Sequence, residues 1–491
     1  MDSRLRLTIA MTIALSLAFA SGLAAQSYVI SELAPVSSFG ARAWELNEAG
    51  TAVGHGLSPT LQQHALVWPG AGGPTTDLTP TNPLAEAQGL SNGGIVAGWA
   101  RNAGGATEAA RWVGGQIGFL GWLHGHIGSL AQDCNDSGLV CGWSVTNVGD
   151  PVAGVWIDGR IEAINVAQSW AFAVSETGDV VGRRWAGVDI QAFRWRAGDL
   201  VVLPDLGPNN AQAVGISPNG RVAGFAESPV TGRGHAVVWE PDGSLTDLGP
   251  YESPAGPASA QANDVNDAGI AVGTAYIDPV SEITYAMVWR GAGAEDLNFF
   301  IPPGSGWTLS EAQAVNDRGE IVGFGTKSGA GGVRAFRLRP DCDEDGLSDL
   351  DEIAAGTAHD ANDDGLADAC QHCQPSLGFG GPGSITLSIC GDELTAAGSA
   401  ATLALDGLPP ATPIYLVLGA VNAPTPRKGG VLVPTPPLLV VPGLFAGPGV
   451  SLAFTVHGGG GAPLTLYLQA VAPAGATAQF SNAVQLEIGA P

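Results

Sequence analysis

The chain has 491 residues, of which 45% are hydrophobic and 13% charged, with 72 Gly and 34 Pro. Such a composition supplies a large core and many turns, which excludes a disordered chain and a charge-rich helical bundle. The formal net charge is −26 and only two lysines occur, Lys327 and Lys428, so the surface repels phosphate backbones and anionic lipid, and nucleic acid is excluded as a partner.

Residues 1–26 read as a secretory signal. Arg4 and Arg6 precede an apolar run from Leu7 to Ala20, and small residues follow through Ala25. The run is short for a membrane span, and no later stretch is long and apolar enough for one. An even count of 6 cysteines in an exported chain fits disulfides. Cys134 and Cys141 flank a tight turn and are expected to face each other across it. Cys342, Cys370, Cys373 and Cys390 lie together further on, with their pairing open.

From residue 27 to 340 one pattern recurs: an Ala-rich strand, Asn or Ser, two turn residues, Gly, a short β run and a second Gly. The turn glycines are Gly50, Gly94, Gly138, Gly178, Gly220, Gly269 and Gly319, spaced 44, 44, 40, 42, 49 and 50 residues apart. A period in this range marks a propeller, solenoid or array. The Asn or Ser side chain is suited to bond turn amides, and the Gly supplies positive φ. The second glycines, Gly54, Gly98, Gly142, Gly182, Gly224, Gly273 and Gly323, indicate close backbone approach within the sheet. A Trp follows in six copies (Trp68, Trp112, Trp156, Trp195, Trp239 and Trp289), with Leu338 in the seventh. It is expected to pack between blades rather than to serve as a sugar-stacking platform.

The fifth copy contains strands over Ala211 to Ser217, Arg221 to Ala226, His235 to Glu240 and Leu245 to Leu248. Four short antiparallel strands per copy make a propeller blade. The seventh copy has only three, and Tyr28 to Leu33 reads as its missing fourth strand, closing the ring and removing its vulnerable edges. The fold class expected is therefore all-β: a seven-bladed β-propeller, a short calcium-binding linker and a C-terminal β-sandwich.

His64-Ala65-Leu66-Val67-Trp68, His235-Ala236-Val237-Val238-Trp239 and Gln191-Ala192-Phe193-Arg194-Trp195 resemble the His-Ala-Phe-Leu-Trp core of HAF-repeat extracellular proteins. The resemblance covers roughly residues 28–340 and implies an exported, propeller-like repeat without a defined activity. Ala110, Gly154, Gln191 and Tyr285 replace the His in other copies, which leaves it a packing position.

Residues 341–373 carry the most specific chemistry. Asp341, Asp343, Asp345, Asp349 and Glu352 fall at positions 1, 3, 5, 9 and 12 of a calcium loop. Gly346 supplies the bend and Leu347 a backbone carbonyl. A second copy offers Asp360, Asn362, Asp364, Leu366 and Asp368 but has Gln371 at position 12, so it is the weaker site. Crowded carboxylates repel one another by about 1 kcal/mol per close pair even in water. A cation relieves that, and hard oxygen ligands select Ca2+. The segment resembles thrombospondin type-3 and dockerin calcium repeats, which implies a rigid calcium spacer here, because Cys370 to Pro375 does not continue as the second dockerin helix.

Residues 374–491 are Gly-, Pro-, Ala- and Leu-rich. Apolar runs at Ser384 to Ile389, Ala401 to Leu405, Ile414 to Leu418, Leu452 to Val456, Leu464 to Ala470 and Ala483 to Ile488 point to a β-sandwich. There is no nucleophile elbow, zinc-protease helix, phosphate loop or dinucleotide fingerprint. His124-Gly125-His126 provides two imidazoles, too few for a metal site. His372 between Cys370 and Cys373 resembles half a zinc site, with disulfides favoured in an oxidising compartment. No catalytic residue is assigned.

The expected role is an exported, non-catalytic binding or structural protein with a calcium-stabilised linker. It acts outside the cell, at the cell surface or in the periplasm, on an extracellular protein or glycan. The alternative is a secreted carbohydrate-active or other hydrolytic propeller enzyme, which requires carboxylates from several blades to converge at the central channel.

Overall fold

The computed structural model describes residues 27–358 apart from 71, 82–83, 165–167, 208–209, 254–255, 279–282, 291–292 and 343–344, together with strand segments between 385 and 488. The signal segment, Asp343, the second acidic loop, Cys370, His372 and Cys373 lie outside the described residues.

Seven antiparallel sheets follow one another along residues 27–341, and the first six have their strands in chain order. Blade one consists of Ala41–Leu46, Ala52–Leu57, Gln63–Trp68 and Thr76–Asp77. The first strands of blades two to seven are Ala85–Leu90, His126–Cys134, Ser169–Val174, Ala211–Ile216, Gly256–Val265 and Trp307–Val315. Blade six carries an extra short strand, Tyr251–Ser253, paired with the start of its first. Blade seven is completed from the other end of the chain: Ser27–Glu32 pairs antiparallel with Arg334–Asp341. Tyr28, 1% exposed, anchors that strand. Its amide donates to the Phe300 carbonyl at 2.9 Å and its hydroxyl receives Arg290 at 2.9 Å. The expected closing strand is thus present, one residue earlier than the sequence placed it.

The repeat's glycines have distinct jobs. A Cβ on Gly54 would collide with the Arg42 carbonyl, and the same collision recurs at Gly98 with Glu86, Gly142 with Leu130, Gly182 with Trp170, Gly224 with Gln212, Gly273 with Gln261 and Gly323 with Glu311. Opposite each of these glycines the first strand bulges, as between Ala43 and Glu45 or Ala131 and Asp133. The bulge presses backbone against backbone, and only glycine leaves room.

The tryptophans lie between blades. Trp112 packs with Val53 and Ala65 of blade one, and Trp68 with Val322 and Ala335 of blade seven. All six are at most 8% exposed, so none offers a face to a sugar. The His of the repeat is also interior: His64 Nδ1 meets Asp77 and His235 Nδ1 meets Asp247, each at 2.8 Å, tying third strand to fourth.

Cys134 and Cys141 do not pair. Both are buried and free, because Cys134 sits opposite Val140 and Cys141 opposite Asp133. The cysteines are thus one register step apart, and neighbouring positions along a strand point to opposite sheet faces.

After the ring, Asp349–Ala355 forms a short helix, capped by Ser348 accepting the Asp351 amide and ended by Gly356 at φ 73°. Beyond it, Thr386–Gly391, Ala400–Asp406 and Val450–Thr455 form one antiparallel sheet. Leu439–Leu444, Pro413–Gly419, Leu464–Ala474 and Thr477–Ile488 form another. Ile385, Leu387, Leu403 and Leu405 from the first share an apolar cluster with Leu468, Ala470 and Val484 from the second. Two strands here were not expected from sequence: the Asn422–Arg427/Gly430–Pro434 hairpin partners. Leu439–Leu444 was not expected either; it holds Pro442 and lies at a sheet edge, where a missing amide is tolerated. No helix among the described residues is long and apolar enough to cross a membrane.

Candidate functional site

The turns after the seven first strands gather around one end of the central channel, and each Asn or Ser works as the sequence suggested. Asn47 Oδ1 accepts the Thr51 amide at 2.9 Å and Ser217 Oγ the Arg221 amide at 3.1 Å. Where the residue is Asn, its amide nitrogen also reaches the next blade. Asn47 donates to the Ser91 carbonyl, Asn135 to Ser175, Asn266 to Asn316, and Asn316 to Asn47, the last joining blade seven to blade one.

A second belt of bonds runs one residue further on. The Glu48 amide donates to Asn92 Oδ1 (2.9 Å), Asp136 to Glu176 (3.1 Å), Asn219 to Asp267 (2.8 Å), Asp267 to Asp317 (2.7 Å) and Asp317 to Glu48 (3.1 Å). Gly93 donates to Asp136. Blade five holds Pro218 at this place, with neither amide hydrogen nor side-chain acceptor, and its next residue, Asn219, donates instead. Acidic side chains thus collect at this mouth because each accepts an amide from the blade before it.

Below the mouth lies a cavity of about 290 Å³ lined by residues of all seven blades. Its walls include the carboxylates of Glu45, Glu48, Asp133, Glu176, Asp264 and Asp317, the amides of Gln88, Gln132, Gln261, Asn263 and Gln313, and the rings of Trp44 and Phe172. Among the described residues no Lys or Arg lines it. Glu45, Asp133 and Asp264 hold equivalent places in blades one, three and six. The other blades have Gly89, Ala173, Gly215 and Ala314 there. Burial pushes Asp133 and Asp264 up to about 7, and Asp264 adds repulsion to Asp133. Burial, then Asp264 and Asp133, hold Glu45 well above the usual carboxylate range. Burial, then Asp317, raises Glu48 to about 7. A carboxylate with no cation beside it and little water around it keeps its proton longer.

The three deep carboxylates differ in their bonds. Asp133 accepts the Cys134 amide at 2.7 Å and the Val174 amide of blade four at 2.8 Å. Asp264 accepts the Val315 amide of blade seven at 2.9 Å. Glu45 accepts, among the described residues, only the amide of its own neighbour Leu46, at 2.9 Å. Two of the three therefore clasp adjacent blades, and Glu45 is the one free of that duty. Sequence reasoning did not single these residues out. The signal was a single column of the repeat, two places after the alanine, where three copies hold an acid and four a small residue.

The first acidic loop folds back on itself. Asp341 and Asp349 are 4% and 0% exposed. Asp341 Oδ2 accepts the Gly346 amide at 3.2 Å, Asp349 Oδ1 the Cys342 amide at 3.1 Å and Asp345 Oδ1 the Leu347 amide at 2.8 Å. Gly346 makes the bend at φ 91°. Glu352 lies in the first turn of the helix that follows. Cys342 is disulfide-bonded. Of the expected ligands Asp343, Asp360, Asn362, Asp364, Leu366 and Asp368 fall outside the described residues. Among the described residues no three His, Cys, Asp or Glu side chains stand together as a metal site, and this covers Asp341, Asp345, Asp349 and Glu352 of the loop as well as the channel carboxylates and His124 with His126.

No family model matches the chain, and no curated protein does either. Three solved structures are similar to it at low identity. The β-propeller domain of the Trilobed protease from Pyrococcus furiosus is 9% identical, with 61% of this chain and 97% of that one covered and a TM-score of 0.43. TolB from Acinetobacter baumannii is 11% identical over 62% of this chain and 65% of that one, at a TM-score of 0.35. A mutant of the Aleuria aurantia lectin in complex with alpha-methyl-L-fucoside is 12% identical over 64% and 94%, at a TM-score of 0.31.

Proposed function

We propose that this chain is an exported, non-catalytic binding protein whose propeller takes an organic cation, an ammonium or guanidinium group, into the acidic end of its channel. The observation that carries this is the cavity lining: among the described residues, six carboxylates and no Lys or Arg around about 290 Å³. Desolvated like charges repel, and a bound cation relieves that repulsion directly. Trp44 and Phe172 also line the cavity, and aromatic rings attract cations, as Phe172 does Arg183, 5.7 Å from its centroid.

The hydrolytic alternative asks for converging carboxylates, and Glu45, Asp133 and Asp264 do converge. Hydrolysis of a glycosidic bond needs two of them available to act as acid and base or nucleophile. Asp133 and Asp264 are bonded to amides of neighbouring blades, and so are Glu48, Glu176 and Asp317, which leaves Glu45, among the described residues, as the one carboxylate of the cavity without such a bond. Binding without turnover is the better reading.

The test is calorimetric titration of the chain lacking residues 1–26 with spermidine and with arginine methyl ester, alongside neutral glucose. Cation binding that tightens from pH 5.5 to 8 and weakens roughly tenfold or more in Glu45→Gln supports the reading, since charged pairs in a desolvated site are worth over about 1.4 kcal/mol. Binding of glucose but neither cation overturns it.

Beyond the propeller, we read the loop from Asp341 as a calcium site and the two C-terminal sheets as a β-sandwich that attaches or orients the ring at the cell surface. The loop's donors suit the ion: carboxylates of Asp341, Asp345, Asp349 and Glu352 and the Leu347 carbonyl are hard oxygens. Inward-turned, buried Asp341 and Asp349 support this reading. Calcium would supply charge neutralisation and hold the loop closed. Uptake of calcium by calorimetry, reduced in Asp345→Ala, is the expected result.

A further inference from the structure

A half-buried cation stands beside the channel cavity without an anion. Arg183 belongs to the second strand of blade four, Val180–Ala186, opposite Trp170 of the first. Its guanidinium lies 4.4 Å from the centroid of the Trp170 ring and 5.7 Å from that of Phe172, and Phe172 lines the cavity. Nη1 donates to Gln212 Oε1 of blade five at 2.9 Å. Gln212 in turn donates to Gln261 (2.7 Å) and Gln261 to Asn263 (2.8 Å), both of them in the cavity wall. The head group is thus held against the first strands of blades four and five, at the edge of the cavity.

What Arg183 lacks is a carboxylate. Arg221, Arg290 and Arg339 each meet one at 2.9 to 3.0 Å, and Arg337 meets two backbone carbonyls. With 46 acidic residues against 20 basic ones in the chain, a guanidinium finds an acid easily, yet Arg183 has no carboxylate partner among the described residues. Its Nε is buried and has no hydrogen-bond partner among them either. Stacking on Trp170 occupies the face of the guanidinium and leaves its edge free. The edge formed by Nε and Nη2 matches the two oxygens of a carboxylate. A cation held out of water and unpaired costs free energy, and a ligand that brings the anion removes that cost.

The depth of Arg183 is set by register. Ala173, the blade-four place that corresponds to Glu45, Asp133 and Asp264, pairs with Val181. Arg183 lies two residues along that strand, away from the mouth, and so about 7 Å from the acid layer by strand rise.

We propose that the channel ligand is a zwitterion, an ω-amino acid whose ammonium sits among the deep carboxylates and whose carboxylate binds Arg183. The inference rests on the cation reading above and narrows it. Glu45, free of any clasp to another blade, takes the ammonium. The lining carboxylates repel a second anion, so a zwitterion gains over a plain amine only where a cation receives its acid end.

The test is calorimetric titration of the chain lacking residues 1–26 with hexylamine, ε-aminocaproate and hexanoate, at about pH 8, above the deep acids at about 7. ε-Aminocaproate should bind roughly tenfold tighter than hexylamine, as a charge-assisted bidentate pair provides, and hexanoate should not bind. Arg183→Gln should bring ε-aminocaproate down to the level of hexylamine or below and leave hexylamine unchanged. Arg183→Lys, which keeps the charge and loses the fork, should fall between, and with the wild-type ratio it carries the test if Arg183→Gln does not fold. Hexylamine binding without a gain for ε-aminocaproate overturns the zwitterion and leaves the cation reading standing. Equal loss of both amines in a folded Arg183→Gln makes Arg183 part of the scaffold and also overturns the zwitterion. Binding of neither amine overturns both readings.

Discussion

Gly89 of blade two makes room for Asp133 of blade three: a methyl group on Gly89 would stand 2.7 Å from Asp133 Oδ1 and 2.6 Å from the Gln132 carbonyl oxygen. The same fit recurs between Gly215 and Asp264, whose Oδ1 would lie 3.0 Å from the added carbon. A channel acid in one blade thus requires a small residue in the blade before it. Gly89→Ala is expected to destabilise by about 1–3 kcal/mol, the usual cost of overpacking. Gly118→Ala, on the outer strand of blade two with its nearest neighbour at 4.0 Å, should be neutral within about 0.5 kcal/mol. Urea unfolding of both variants checks the contrast, and equal midpoints would remove the steric argument.

The buried channel acids set a pH dependence whose sign follows from their direction. Asp133 and Asp264 titrate at about 7 in the folded protein against an ordinary 3.8. Between these values the native state holds protons that the unfolded chain has released. The contribution of these two groups to stability therefore falls as pH rises from 3.8 towards 7, and the loss is complete above 7. Asp133→Asn keeps an oxygen for the Val174 amide and removes the titration, although it sets a donor against the Cys134 amide. Its absolute stability should drop, while its melting temperature should fall less than wild type between about pH 5 and pH 8. Parallel melting curves would show that Asp133 does not carry the shift.

The blades were legible in the sequence because their constraints are local and repeated. The turn glycines, the glycines facing the bulge and the buried Trp each answer a need met within one blade or against its neighbour. The closing strand was legible too, since the seventh copy lacked a fourth strand and Tyr28 to Leu33 offered one. The channel was not, because Glu45, Asp133 and Asp264 lie some 90 to 130 residues apart and only closure of the ring brings them together. Each looked like an ordinary polar residue in a strand. The cysteines misled for a related reason: a turn between Cys134 and Cys141 suggested a facing pair, but the register sets them one step apart. The acidic loop is written in consecutive residues, and there Asp341 accepts the Gly346 amide and Asp349 the Cys342 amide.

The chain itself varies the residue that opens each turn, and that variation predicts what each type contributes. Asn47, Asn135, Asn266 and Asn316 cap their own turns and also clasp the next blade. Ser91, Ser175 and Ser217 cap their turns through the hydroxyl and are too short to reach further. Asn316 matters most, because its bond to the Asn47 carbonyl spans the junction between the last blade and the first. Asn316→Ser should keep the cap on Glu320 and lose both the clasp and the Nδ2 bond to the Glu320 carboxylate at 3.0 Å, at a cost of about 2 kcal/mol for two buried hydrogen bonds. Asn316→Ala should lose the cap as well and leave the Glu320 amide buried without its acceptor, raising the cost to about 3 kcal/mol. Asn135→Ser, between blades three and four, should cost about 1 kcal/mol in equilibrium unfolding, less than Asn316→Ser, since it loses the clasp alone. In hydrogen exchange the two should differ: only Asn316→Ser should speed the amides of Tyr28 to Leu33, because only there does the clasp hold the seam of the ring. Identical exchange in both variants would mean that blade seven is closed by its strand alone.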